Sequence, residues 1–201
     1  MAGFNSFEPL LRKYLREIKP TKILEWGTGR STAIMAEECP LAKIYSLESD
    51  PNWYHKYFNV YKSSKYVNVI LVPPKLLADI PRGWHKMFDL IFVDGLCDMR
   101  VACLRTASQI LYSNGVAILH DSERTKYAEG VSLFDKVEES DGTLVMKKRD
   151  NVDYMDSNPD ALCSCGHSRK EHNVKHIRAL PEVKDCMFCS CEKFYPEVST
   201  Y

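Results

Sequence analysis

The 201 residues, 45% of them hydrophobic, suffice for one domain of ordinary size with a proper core plus a small appendage, and exclude a chain disordered throughout. Lys+Arg and Asp+Glu both number 27, so overall charge makes no case for a polyanionic partner. The first residues carry neither a basic nor an apolar leader pattern, and no later run is apolar enough to cross a bilayer, so the expectation is a soluble, cytoplasmic protein with no membrane partner.

Phe7, Leu10, Leu11, Tyr14, Leu15 and Ile18 recur at helical spacing, and Pro20 closes that amphipathic segment. A short apolar strand at Lys22 to Trp26 then enters a glycine turn and a helix from about Ser31 to Glu38. The alternation repeats, with strands at Lys43 to Leu47, Val67 to Val72, Phe88 to Val93 and Gly115 to Leu119. Between them come helical stretches at Pro51 to Lys62, Lys75 to Ile80 and Asp98 to Tyr112, with a further helix near Glu123 to Glu129. Strands separated by helices imply an α/β fold with a mostly parallel sheet and helices on both faces. Ser132 to Glu138 and Thr143 to Lys148 flank Ser140-Asp141-Gly142, a good hairpin turn, so a terminal antiparallel hairpin closes the sheet. From Arg149 to Pro159 the sequence becomes polar and loses periodicity. The expected organisation is a main domain over 1–150, a linker over 151–160 and a small module over 161–201.

Gly27-Thr28-Gly29 lets the backbone turn sharply after the first strand and approach a ligand with no β-carbon in the way, while the next helix presents free N–H groups. A nucleotide-type cofactor suits such a turn. The dinucleotide fingerprint would place a third glycine at position 32, where Thr32 stands, which lowers NAD to second place.

Ile23-Leu24-Glu25-Trp26-Gly27-Thr28-Gly29 resembles the first motif of the class I, Rossmann-like S-adenosylmethionine-dependent methyltransferases, an acidic residue followed by Gly-x-Gly; the resemblance covers roughly residues 5–148. It implies that Glu25 lies near the ammonium of the methionine moiety and that the backbone of Gly27, Thr28 and Gly29 packs against the cofactor. Ser31 and Thr32 would add hydroxyl contacts. Glu48, at the end of the second strand, would accept hydrogen bonds from both ribose hydroxyls. Trp53 either flanks the adenine or packs its helix on the sheet.

Ligands of open α/β sheets sit beyond the carboxyl ends of the strands, so Asp94, after the fourth strand, and His120-Asp121-Ser122, after the fifth, should converge on one pocket. Methyl transfer to a hydroxyl needs alignment and removal of a proton. His120 suits the base and Asp94 or Asp121 the group that orients it or the substrate; the plainer alternative is a satisfied strand-end histidine. The same resemblance raises magnesium held by Asp94 and Asp121, but its pattern has asparagine after the second acid where this chain has Ser122. No Asn/Asp-Pro-Pro-aromatic motif follows the fourth strand, and the Pro-Cys context of a cytosine C5 enzyme is lacking. An oxygen acceptor on a small molecule or sugar is favoured. Two alternatives stay open: a non-catalytic protein that binds S-adenosylmethionine or S-adenosylhomocysteine and uses its tail to hold a partner, and a nucleic-acid methyltransferase.

Cys39, Cys97 and Cys103 are scattered through segments that read as helical, whereas five of the eight cysteines fall between Cys163 and Cys191, a usage that suits reduced thiols better than a disulfide framework. Cys163, Cys165, His167, His172, Cys186, Cys189 and Cys191 have the spacing of zinc ligands. Seven candidates serve one tetrahedral site better than two, so a single structural zinc is expected. The pattern is similar to small Cys-Gly-His…His…Cys-x-x-Cys-x-Cys zinc modules, and so short a segment would draw much of its stability from the metal.

Overall fold

A computed structural model of the chain describes residues 6–84 and 88–149. The expected linker and the seven candidate zinc ligands, Cys163, Cys165, His167, His172, Cys186, Cys189 and Cys191, lie outside the described residues.

Helix α1 (Glu8–Ile18) buries Leu10, Leu11, Tyr14 and Leu15 along one stripe and ends where Lys19 turns left-handed at φ 50° and donates its N–H to Leu15 O. Strand β1 (Lys22–Trp26) leads into α2 (Arg30–Glu38), β2 (Lys43–Glu48) and α3 (Pro51–Tyr61). Asp50 caps α3, accepting from the N–H groups of Asn52 and Trp53 at 2.8 and 2.9 Å, and Pro51 occupies the first helical position. Strand β3 (Val67–Leu71) follows. Pro73-Pro74 and Pro81 then reduce the helix expected over Lys75 to Ile80 to two 3₁₀ turns, Pro74–Leu76 and Ile80–Gly83.

Strand β4 (Phe88–Val93) and helix α4 (Arg100–Ile110) precede β5 (Leu111–His120). The helix stops short of the expected Tyr112 because Leu111, fully buried, pairs with Phe88 across a register shift instead. Cys97 accordingly sits in the turn before α4 and Cys39 at the C-terminal cap of α2; among the three described cysteines, all free, only Cys103 is inside a helix. A 3₁₀ turn (Thr125–Tyr127), the short α5 (Ala128–Val131), β6 (Phe134–Ser140) and β7 (Thr143–Lys148) complete the described chain. Asp141 and Gly142, at φ 48° and 71°, form the hairpin turn.

The seven strands form one sheet in the order β3-β2-β1-β4-β5-β7-β6. The first five are parallel, and β7 lies between β5 and β6, antiparallel to both. Strand alternation splits the core in two. Ile23, Leu90, Phe92 and Ile118 face α1 and α2, while Leu24, Trp26, Ile91 and Leu119 face α4. Each large apolar side chain buried this way contributes about 2–3 kcal/mol. The parallel strands all present their carboxyl ends to one edge, where β1 and β4, neighbours in the middle of the sheet, mark the switch in strand order. No helix among the described residues is long and apolar enough to cross a membrane.

Candidate functional site

At that edge the turn after β1 is pressed against the turn after β4. Gly27 donates to Leu47 O at 2.9 Å, and Asp94 donates its N–H to Trp26 O at 2.9 Å. Gly27 has φ 96°, and a β-carbon there would lie 2.8 Å from Gly95 N and 2.9 Å from the Asp94 carbonyl carbon, so packing alone demands glycine. Gly29 differs. It is extended at φ 176°, and a β-carbon on it would meet no atom of the described residues within 4 Å. The surface beside Gly29, at the start of α2, is open backbone.

Under this turn lies a polar cage. Glu25 is fully buried and accepts hydrogen bonds from the hydroxyls of Ser31, Thr32 and Ser46, the last two at 2.5 Å. Thr32 Oγ1 also accepts from Gly29 N–H at 2.9 Å, and Thr28 Oγ1 shares a 2.7 Å bond with Ser46 Oγ. Burial pushes the Glu25 carboxyl up to about 7, against the pull of the three hydroxyls, and the charge of Asp94 adds to the rise. Glu25, Ser31 and Thr32, expected beside the ligand, are thus brought together beneath the turn, where they hold its shape. What the turn presents outward is backbone.

Glu48, 5% exposed at the end of β2, ties its carboxylate to three backbone N–H groups: Thr28 at 3.0 Å, Ser49 at 2.6 Å and Asp50 at 2.8 Å. Burial raises its pKa and those three bonds lower it, with burial the larger influence. It therefore joins the end of β2 to the glycine turn. Trp53, on the first turn of α3, is 41% exposed; Lys56 Nζ lies 4.3 Å from its ring centre, and Tyr57 meets it edge-on at 5.5 Å. It is not consumed by the core.

The ends of β4 and β5 bring Asp94, His120 and Asp121 together. Their ligand atoms all lie within 4.8 Å of one another. Asp94 Oδ1 is 3.0 Å from His120 Nδ1, and Ser6 Oγ is 3.3 Å from His120 Nε2. Phe7, tilted against Phe92, packs edge-on to the imidazole at 5.1 Å. Arg100, on the first residue of α4 and 5% exposed, reaches both acids: Nη2 donates to Asp94 Oδ1 at 2.9 Å and Nη1 to Asp121 Oδ2 at 3.2 Å. Asp121 stands at φ 55° and also pairs with Arg124 at 2.9 Å. The magnesium drawn from Asp94 and Asp121 does not fit this arrangement. A guanidinium already bonds both carboxylates, and a divalent ion among them would face it at short range.

Arg100, Ser46 and Ser6 were not among the expected site residues. Arg100 carries a legible signal: it shares the inward face of α4 with Cys103, Leu104 and Ala107, where a charged residue needs a partner, and it puts a cation at a helix N-terminus, where the dipole opposes it. Ser46 carries a fainter one, since strand alternation sets it on the same face as Ile44 and Glu48. Nothing in the sequence joins Ser6 to His120, 114 positions away.

No protein-family model matches the chain, and no curated protein matches it either. Solved structures do. A methyltransferase of Podospora anserina with bound S-adenosylhomocysteine is 21% identical and superposes with a TM-score of 0.59 over 71% of this chain and 78% of its own. A methyltransferase-like protein of Silicibacter pomeroyi is 18% identical, with a TM-score of 0.60 over 74% of this chain and 88% of its own. A Staphylococcus aureus structure assigned as a caffeoyl-CoA O-methyltransferase is 14% identical, with a TM-score of 0.57 over 70% of this chain and 82% of its own. At these identities the likeness is one of fold. The seven-stranded, mostly parallel sheet with its antiparallel β7 is a Rossmann-like α/β fold, and it is that fold which the chain shares with these structures.

Proposed function

We propose that the chain binds S-adenosylmethionine across the carboxyl ends of β1 and β2 and transfers its methyl group to an oxygen acceptor on a small molecule. The observation that carries the reading is Gly29. Neither its backbone angle nor any neighbouring atom of the described residues requires glycine there, so the bare backbone at the start of α2 suits a ligand lying on it. In this reading the Gly27-Thr28-Gly29 backbone supports the cofactor and Glu48 accepts from one ribose hydroxyl through the Oε2 lone pair that its three backbone partners leave free. Trp53 offers an exposed ring for the adenine. Glu25, Ser31 and Thr32 act indirectly, by holding the turn.

The cofactor supplies a methyl carbon on a sulfonium, which leaves as a thioether once the acceptor oxygen bonds to that carbon. The residues of the chain manage the proton. Asp94 Oδ1 holds the hydrogen on His120 Nδ1, so the Nε2 lone pair, which Ser6 Oγ faces at 3.3 Å, takes the acceptor's hydroxyl proton once the acceptor displaces that serine hydroxyl. Phe7, backed by Phe92, walls one side of the imidazole and limits its access to water. The Staphylococcus aureus neighbour's assignment to O-methylation supports the oxygen acceptor.

The remainder of the chain is read as a linker over 151–160 and a module over 161–201. Its Cys163, Cys165, His167, His172, Cys186, Cys189 and Cys191 supply four ligands to one structural zinc, a reading that rests on their spacing. Metal analysis of freshly purified full-length protein is expected to give about one zinc per chain; its absence would remove that assignment. A cytoplasmic location belongs to the same reading, on the strength of the reduced cysteine usage.

Calorimetric titration with S-adenosylhomocysteine tests the cofactor site. Glu48→Ala is expected to weaken binding at least about tenfold, equivalent to about 1.4 kcal/mol, with a thermal melt confirming that the variant is folded. Undiminished affinity in a folded variant would overturn the placement. Transfer of a labelled methyl group to a panel of hydroxyl acceptors, lost in His120→Gln, separates an enzyme from a protein that only binds the cofactor.

A further inference from the structure

Asp94, His120 and Asp121 form the kind of cluster that holds a hard divalent cation: two carboxylates and an imidazole with ligand atoms within 4.8 Å of one another. Arg100 already bonds both carboxylates of that cluster. An arginine has five N–H donors in a rigid planar fork, and here every one has an acceptor. Nε donates to Gly95 O at 3.0 Å. Nη1 donates to His120 O at 2.6 Å and Asp121 Oδ2 at 3.2 Å. Nη2 donates to Asp94 O at 3.3 Å and Asp94 Oδ1 at 2.9 Å. The acceptors are three strand-end carbonyls and two carboxylates, the oxygen types a divalent ion gathers, and the arginine side chain is only 7% exposed.

We propose that Arg100 is a built-in cation that takes the place of a divalent metal at the ends of β4 and β5, so that this site works without one. It is a positioning residue. By bonding both the carbonyl and the carboxylate of Asp94 it fixes the oxygen that orients His120, and by bonding His120 O it ties the two strand ends together. The ring of Tyr127, whose centroid is 5.5 Å from the guanidinium carbon, lies against the same group and helps exclude water. The placement of Arg100 is costly without such a role, because a cation on the first residue of an eleven-residue helix opposes the helix dipole. A metal would have to break five charge-assisted bonds or sit beside a fixed positive charge, whereas a lysine could offer three donors from a single point and could not span the same acceptors.

The inference deepens the proposed function by assigning what holds the acceptor end of the site, and it rests on that reading for what His120 does. The test needs neither cofactor nor acceptor, so its failure is distinguishable from a failure of the methyl-transfer reading. Full-length wild type and an Asp94→Asn/Asp121→Asn double variant are titrated with Mn²⁺, and the free ion is followed by electron paramagnetic resonance. Both are expected to take up the same amount of ion, since the tail is common to them. An equivalent bound by the wild type and lost in the double variant would overturn the proposal. Arg100→Met, which empties the fork, is expected to gain one Mn²⁺ equivalent over wild type, bound at least tenfold more tightly than any at this site in the parent, whereas Arg100→Lys gains none. A folded Arg100→Met that gains no ion would also overturn it. Should Arg100→Met not fold, the comparison of wild type with the double variant still decides.

Discussion

Replacing Glu25 by glutamine tests whether the cage under the glycine turn has the electrostatics its geometry implies. The folded protein keeps the Glu25 proton up to about pH 7, whereas the unfolded chain releases it near 4.5. Between those values the folded state binds more protons, so stability falls as pH rises. At about 1.4 kcal/mol per pH unit, the gap amounts to about 3 kcal/mol of destabilisation, fully developed above pH 7 and absent below pH 4. Glutamine keeps the shape, can accept from two of the three hydroxyls and can donate to the third, and it does not titrate. Urea denaturation of wild type and Glu25→Gln at pH 5 and pH 7.5 isolates this residue and its coupling to Asp94, because titrations not coupled to it cancel in the difference. The variant is expected to gain about 2 kcal/mol on wild type between the two pH values. A difference constant across that range would show that Glu25 ionises as an ordinary carboxylate and that the three hydroxyls outweigh its burial.

Gly27→Ala and Gly29→Ala should fail in different ways. The first forces a β-carbon onto the Asp94-Gly95 backbone at φ 96° and is expected to cost more than about 1–2 kcal/mol in chemical denaturation. Gly29→Ala meets no neighbour, is expected to cost at most about 1 kcal/mol, and should still weaken S-adenosylhomocysteine at least about tenfold by calorimetry. Equal stability loss in both, or unchanged affinity in Gly29→Ala, would sink the view that one glycine serves the fold and the other the ligand. Ser6→Ala removes the 3.3 Å partner of His120 Nε2 while Asp94 still orients the ring, so thermal denaturation should register about 0.5–1 kcal/mol. Cofactor affinity in that variant should match wild type; a large loss would place Ser6 in the cofactor site instead.

The elements with strong periodicity were legible because each is decided locally. The stripe of Leu10, Leu11, Tyr14 and Leu15, the apolar runs of β1 and β4, and the Asp141-Gly142 hairpin turn all reflect constraints within a few residues of sequence. Where the expectation and the structure part, a distant partner intervened. Leu111 leaves α4 for a pairing with Phe88, and prolines 73, 74 and 81 hold the third crossover to 3₁₀ turns.

The site divides along the same line. Sequence alone determined that a glycine turn follows β1, that an acid ends β2 and that Asp94, His120 and Asp121 lie at neighbouring strand ends, because the parallel α/β order sends those termini to one edge. Only the tertiary structure decided which partners each side chain bonds. Glu25 turned inward because strand alternation set it opposite Ser46 and under α2, where three hydroxyls met its carboxyl group. The two acids of the β4 and β5 ends met an arginine from a third element, and the cation of that site is carried by the chain itself. A spacing rule reads neighbours along the chain; the partner that neutralises a buried charge is chosen by packing.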